Sequence, residues 1–471
     1  MSGRVAITNA EVDGLLVDVI LQHGRVIGIG PHRHLRGAQG DTVIDAGGGA
    51  LIPGLHDHHV HLLASAAALM SVDARPSRAP TREALGVALR SADRELPPGA
   101  WIRAVGYHET VAGRLDRVAL DTMMPTRPVR VQHRSGHAWF LNSSAIEALG
   151  FAAEDAAHGV ELDDRGEPTG VIHGNDDWYR CRLPAHRPDL AAVGRRLAGF
   201  GVTGVTDATP SDDPSAVELI SAAVRRGDLR LEVAVMASPS SLSIADREIR
   251  YGPEKIVIAD HALPSLDAVV DAFRTARSRG RNVAVHCVTR VAVILALAAW
   301  AEVGARPGDR IEHGAVIPIE LDDRIRDLGL VVITQPSFVA DRGDDYLREV
   351  EPDDAPVLWR CGTLRSAGIG VAGSTDAPYG DPDPWRAIAA AGDRRTNRGA
   401  VLGPGDRVPS DAALRMFLTP LDDPAGPCRS VVVGTPADLC LLDRGLTEAL
   451  RGPTSGAVRT VLRNGEVVVQ R

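Results

Sequence analysis

RNVAVHCVTRVAVILALAAWAEVGARPGDRIEHG, Arg281 to Gly314, reads as a strand, a helix and a second strand. RNVAVHC and DRIEHG are short apolar runs bounded by turn residues. Between them, RVAVILALAAWAEVG carries apolar residues at spacings of three and four, the period of a helix. Strand, helix, strand in succession is the signature of a parallel sheet. Each strand closes on a histidine, His286 and His313, 27 positions apart. Burying an imidazole without a partner is costly, so two histidines at neighbouring strand ends ask for a shared one.

The same unit recurs along the chain. ALIPGLHD, GVTGVTDA, LRLEVAVM, EKIVIAD, RNVAVHC, DRIEHG, LGLVVITQP and GIGVAGSTDAP are strand candidates, with helical stretches such as LDAVVDAFRTARSRG and IELDDRIRDLG between them. Eight such units predict an α/β chain folded as a (β/α)8 TIM barrel, at about 31 residues per unit in a barrel of about 250 residues. Lys255 lies 31 positions before His286, and Asp376 lies 63 after His313. Lys255, His286, His313 and Asp376 therefore fall near the ends of strands four, five, six and eight, where such barrels carry their chemistry.

From His61 to Asp207 the gap is 146 positions. The excess predicts an insertion after the first barrel strand, about residues 65–195, placed as a lid over the barrel mouth. Both chain ends read as short strands with Gly-rich turns: VAITNAEV, LLVDVILQHG and GRVIGIG at one, ADLCLLD and AVRTVLRNGEVVV at the other. Residues 1–52 and 425–471 are thus expected to form one small β-sandwich, with 53–424 as the barrel and its lid. The alternative is two unrelated β-pieces.

Composition narrows the partners. With a net charge of −9 and no basic block, nucleic acid is not expected. The first residues show no signal peptide, and no apolar run reaches membrane-spanning length, so no membrane is expected. Five scattered cysteines with no CxxC pair suit a reducing cytoplasm. A small-molecule substrate is expected, and nothing speaks against a homodimer. Of the 52 cations, Lys255 is the only lysine. Arginine stays charged in proteins, whereas a buried lysine can shed its proton and take up CO2 as a carbamate that bridges two metals.

The first strand ends in PGLHDHHVHL, Pro53 to Leu62. Side chains alternate along a strand, so Asp57, His59 and His61 share one face and His56 and His58 the other. A histidine pair at i and i+2 can ligate one metal. His59 and His61 are the chosen pair because Asp57 shares their face; His56 and His58 are expected to pack outward. Asp376, in AGSTDAPYG, can bind metal and accept a proton from water.

Together PGxxDxHxH, the single strand-four lysine, VAVH, RIEHG and GSTDAP resemble the metal-dependent amidohydrolase superfamily, and ADLCLLD and VLRNGEVV resemble its closing β-sandwich. The insertion, with RLD followed after eight residues by PTRPVRVQHRSGHAWFLNSSA, is similar to the YtcJ-like branch, which is similar to N-substituted formamide deformylase. The resemblance implies two divalent metal ions, zinc being the expected identity. His59, His61 and Asp376 would bind the buried one, His286 and His313 the second, and N6-carboxylated Lys255 would bridge them. It implies hydrolysis of an amide, N-acyl or N-formyl C–N bond by a bridging hydroxide, with Asp376 moving the proton. A deaminase or lactone hydrolase on the same frame is the alternative, then a non-catalytic scaffold. The chain departs from the branch at His173, Gly174 and Asn175, where an acidic residue is usual, and at ADHALPS after Lys255. No particular substrate is therefore carried over.

His137, in SGHAW, is the lid residue expected to touch substrate, stabilising an oxyanion or the leaving group. Tyr107, Gln335 and Arg342 are further candidates for substrate contact, Arg342 as a carboxylate clamp. Cys287 should face away from His286 as an inert packing thiol.

Overall fold

The structure, a computed structural model, describes residues 3–31, 41–136, 138–174, 178–179, 182–183, 188–210, 213–237 and 248–471. The chain divides into two compact units, one of residues 1–62 with 190–471 and one of residues 63–189.

Eight short strands run through the first unit: β1 (Leu55–Val60), β2 (Val202–Asp207), β3 (Glu232–Val235), β4 (Glu254–Val257), β5 (Val283–Cys287), β6 (Arg310–His313), β7 (Val331–Thr334) and β8 (Gly370–Gly373). β1, β2 and β3 pair in parallel in that order, and β4 to β8 form a second parallel sheet in chain order. Backbone hydrogen bonds link the sheets at both edges. Lys255 N donates to Met236 O (3.2 Å), and Asp376 N donates to His59 O (2.9 Å).

The connections are helical, as the periodicity requires. The helix Arg290–Val303 starts where the Thr289 hydroxyl accepts from Ala292 N (3.2 Å) and ends at Gly304, whose φ of 82° suits only glycine without strain. It buries Ala292, Val293, Ala296, Leu297, Ala299 and Trp300. A fully buried Val or Leu contributes about 1.5–3 kcal/mol. The Trp300 indole donates to Asp309 Oδ2 (3.0 Å), so the largest side chain on that face leaves no unmet polar atom.

One expected strand is two. ALIPGLHD breaks at Gly54: Leu51–Pro53 pairs antiparallel with Leu439–Leu442, and β1 starts only at Leu55. A Cβ on Gly54 would meet Thr203 Cγ2 at 2.2 Å, so the chain passes β2 too closely for any side chain. The terminal strands form two four-stranded sheets, one from Arg25–Pro31, Leu15–Gln22, Val5–Val12 and Thr42–Asp45. The other comes from Glu466–Gln470, Val458–Arg463, Leu439–Leu442 and Leu51–Pro53. Ile7, Val19, Leu21 and Val26 of the first share a core with Leu439, Leu441 and Leu462 of the second.

The second unit has its own six-stranded sheet, in the order Val160–Leu162, Pro168–His173, Ala138–Leu141, Val129–His133, Ile102–Tyr107, Val72–Asp73. Its core holds Leu85, Leu89, Ile102, Tyr107, Val131 and Phe140.

Candidate metal centre

The C-terminal ends of β1, β5, β6 and β8, with Lys255 at the second position of β4 rather than at its end, bring the predicted ligands toward one another. His61 Nε2 lies 3.3 Å from Asp376 Oδ1, and His59 Nε2 lies 3.7 Å from the same oxygen. The ligand atoms of His59, His61 and Asp376 all fall within 4.8 Å of one another. Each imidazole has its other nitrogen occupied. His61 Nδ1 sits 3.0 Å from Thr209 Oγ1, and His59 Nδ1 meets Glu312 Oε2. That arrangement turns both Nε2 atoms toward the carboxylate. Asp376 Oδ1 is buried with no hydrogen-bond partner. A buried carboxylate oxygen facing two imidazole nitrogens is a donor set that a divalent cation satisfies, so these residues fit a metal.

His313 and His286 stand beside this trio, with ring centroids 4.6 Å from His59 to His313 and 4.5 Å from His286 to His313. His313 Nδ1 lies 3.0 Å from Gln335 Oε1, and Gln335 Nε2 donates to Ser374 Oγ (2.8 Å). The amide thereby fixes the His313 ring and leaves the Nε2 lone pair as the one that could meet a metal. Lys255 is buried on β4 with Nζ 3.2 Å from His59 Nε2. Burial pulls the ammonium down from its usual range to about 8. Burial also holds His59 and His313 well below the ordinary imidazole value, with Lys255 and His286 respectively adding to the effect.

Two site residues adopt left-handed backbone, His313 at φ 69° and Asp376 at φ 54°. Such geometry costs about 1–3 kcal/mol per residue and persists where the surroundings impose it. Asp57 supplies part of that restraint. Its Oδ2 accepts from Thr375 Oγ1 (2.5 Å) and its Oδ1 from Thr375 N (3.1 Å) and His59 N (3.2 Å), tying β1 to the loop that carries Asp376. His56 and His58 are buried on the other side, where His56 Nδ1 meets Thr419 O (3.0 Å) and Thr419 Oγ1 meets His58 Nε2 (2.9 Å).

Three of the substrate-contact candidates have partners within the protein. Gln335 is fully buried and spent on His313 and Ser374. Tyr107 is packed against Phe140 in the core of its unit, with its hydroxyl donating to Gly113 O. Arg342 lies over the Phe338 ring at 4.0 Å and donates to Tyr379 O (2.7 Å). That holds the Tyr379 segment, whose ring stands edge-on to His61 at 5.3 Å. His137 lies outside the described residues. Cys287 is buried, and burial raises its thiol above the ordinary range.

Glu312 was not singled out by the sequence reading. Besides meeting His59, its Oε1 lies 2.5 Å from Arg310 Nε, and both side chains are buried. Strand alternation places Glu312 opposite His313, away from the site. The left-handed turn at His313 breaks that alternation and lets both neighbours serve one centre.

The sequence profile described as the amidohydrolase family matches residues 42–469. N-substituted formamide deformylase of Arthrobacter pascens is 27% identical over 501 residues, covering 92% of this chain and 91% of that one. Putative amidohydrolase YtcJ of Bacillus subtilis (strain 168) is 25% identical over 451 residues, 85% of each chain. The crystal structure of a metal-dependent hydrolase from Pyrococcus horikoshii is similar in fold, with a TM-score of 0.74 at 20% identity over 94% of this chain and 98% of that one.

Proposed function

We propose that this chain, which belongs to the amidohydrolase family, cleaves an amide, N-acyl or N-formyl bond of a small molecule with the help of two divalent metal ions. It is a hydrolase acting on carbon–nitrogen bonds other than peptide bonds. The observation that carries the metal reading is the approach of His59 Nε2 and His61 Nε2 to the buried, unpartnered Asp376 Oδ1. The frame we infer is a (β/α)8 barrel closed through the two edge hydrogen bonds, with the terminal sheets as a β-sandwich. A cytoplasmic setting accords with the free thiols of Cys287, Cys361, Cys428 and Cys440. Among the described residues, no helix is long and apolar enough to cross a membrane.

In this reading His59, His61 and Asp376 would hold one ion, and His286 and His313 would hold the other. Lys255, whose neutral amine can add CO2 and release a proton, would supply a carbamate as a further ligand. Zinc suits the imidazole and carboxylate donors. Bound divalent ions supply an acidified water and a polarised carbonyl. Asp376 accepts the proton of the attacking water and returns it to the leaving nitrogen, so the amine departs neutral. Glu312 and Gln335 keep the His59 and His313 rings aimed. The deformylase relative supports an N-formyl or N-acyl substrate class.

The test is the metal count per chain by elemental mass spectrometry, on protein purified with bicarbonate and without chelator. A value near two that falls in Lys255→Ala is expected. A value near one, unchanged in Lys255→Ala, would refute the bridged pair and favour a single-metal deaminase.

A further inference from the structure

The smaller unit holds an arginine that its own fold leaves unanswered. Strand alternation sends Ile102, Ala104, Val129, Val131 and Phe140 into that unit's core. Their neighbours Arg103, Arg130, Gln132 and Trp139 therefore share the other face of the sheet. Register brings them together. Arg103 stands opposite Arg130 on the parallel strands Ile102–Tyr107 and Val129–His133, and Trp139 stands opposite Gln132 on the next strand, Ala138–Leu141.

Both guanidiniums lie against one indole. Cζ of Arg103 is 5.4 Å from the centroid of the Trp139 ring, and Cζ of Arg130 is 5.2 Å from it. Arg103 is fixed there, its Nη1 donating to Ser71 Oγ (2.7 Å) and its Nη2 to Gln132 Oε1 (3.0 Å). Arg130 differs. Its Nε is buried with no hydrogen-bond partner, and among the described residues no carboxylate pairs with its guanidinium. Other arginines of the unit are paired, Arg75 with Asp73, Arg114 with Glu161 and Arg127 with Asp93. A charged donor withdrawn from water without an acceptor is costly, and a second cation beside it raises the cost. The negative face of Trp139 offsets part of this but gives the Nε–H no acceptor. An oxyanion would give it one. The edge of a guanidinium presents two N–H groups side by side, matched to two oxygens of a carboxylate or phosphate.

We propose that Arg130, with Arg103 and Trp139 beside it, binds the carboxylate or phosphate group of a small anion on the 63–189 unit. Arg130 supplies the two-pronged contact and Arg103 a second positive charge. Trp139 holds both side chains in place, and Gln132 steadies Arg103. The site is independent of any metal at the His59 centre.

The test titrates the full chain by calorimetry with inorganic phosphate and, separately, with acetate, at constant ionic strength set with chloride. His59→Ala is the parent for the comparison, so that anions held by metal at the His59 centre do not contribute. Arg130→Gln and Arg130→Lys are each made in that parent and in wild type. The expected result is one saturable site per chain in His59→Ala, weakened about ten- to a hundredfold by Arg130→Gln, as for loss of a charge-assisted hydrogen bond. Arg130→Lys keeps the charge against Trp139 but loses the fork, and should fall between. Saturation by phosphate alone would assign a phosphoryl group, and saturation by acetate a carboxylate. The proposal is overturned if neither probe saturates a site in His59→Ala, or if Arg130→Gln binds as tightly as its parent. Should glutamine disturb the sheet, parental affinity in Arg130→Lys overturns it equally.

Discussion

Glu312 offers the sharpest check on how the centre is held. Its carboxylate has two buried neighbours, His59 Nδ1 and Arg310 Nε. Glu312→Gln keeps an amide oxygen that can accept from Nδ1–H, but it sets a neutral amide against a buried guanidinium. Glu312→Ala removes both interactions. Loss of a hydrogen-bond partner behind a metal-ligating histidine costs about 10–100-fold in metal affinity. At about 1.4 kcal/mol per factor of ten, that is about 1.4–2.8 kcal/mol. The glutamine variant should sit near tenfold and the alanine variant near a hundredfold. Metal-free stability should respond differently. Both variants strand Arg310, and breaking one side of a buried ion pair costs about 3–5 kcal/mol. Competition with a chromophoric chelator reads the first effect, and urea unfolding of the metal-free protein reads the second. If Glu312→Ala lost stability but bound metal as tightly as wild type, Glu312 would serve Arg310 alone and its role behind His59 would be refuted.

Other expectations follow from the same geometry. Asp376→Asn should lower kcat by about 10²–10⁴ on a panel of N-formyl and N-acyl amines, as for loss of a general base; unchanged turnover would remove Asp376 from proton transfer. Gly54→Ala should lose about 1–3 kcal/mol or more, read as a lowered Tm, because its Cβ would meet Thr203 Cγ2 at 2.2 Å; an unchanged Tm would mean that β1 and β2 can part without cost. Iodoacetamide at neutral pH should label exposed Cys428 in the native protein and spare buried Cys287, Cys361 and Cys440, as peptide mapping would show. Burial pushes the Cys361 and Cys440 thiols up to about 12, and labelling of either would indicate local opening.

Periodicity and spacing located all eight strand segments, because apolar runs between helical repeats leave few other arrangements. They also marked His59, His61 and Asp376, whose ligand atoms the fold gathers within 4.8 Å. What they misread has local causes. The break at Gly54 is invisible to alternation, since apolar residues flank it and the constraint is the approach of Thr203. Gln335 looked like a residue free to reach substrate because it follows a strand; only the fold shows that its amide sits between His313 and Ser374. Tyr107 carried no mark to separate a packed phenol from an exposed one. Glu312 was hidden by the period-two rule, which fails where backbone φ turns positive.

The lone lysine gains meaning beside the buried arginines. Arg360 is clamped by both oxygens of Asp322, each at 2.7 Å, and also donates to Ile317 O. Arg394 donates to the carbonyls of Leu402, Trp359 and Leu358. Arg281 does the same with Gly252, Ala237 and Pro253. Each buried guanidinium is thus used as a permanent cation with several donors, anchoring backbone that would otherwise lack a partner. Lys255 occupies different ground, with its Nζ 3.2 Å from an imidazole nitrogen rather than against a row of carbonyls. A fixed charge there would face the ligating edge of His59 and repel a bound cation, whereas an amine converted to a carbamate would attract one. Lys255→Arg separates the two possibilities, because it preserves charge and length but cannot form the carbamate. Metal content should fall as far as in Lys255→Ala, and retention of wild-type metal in the arginine variant would show that position 255 contributes only packing.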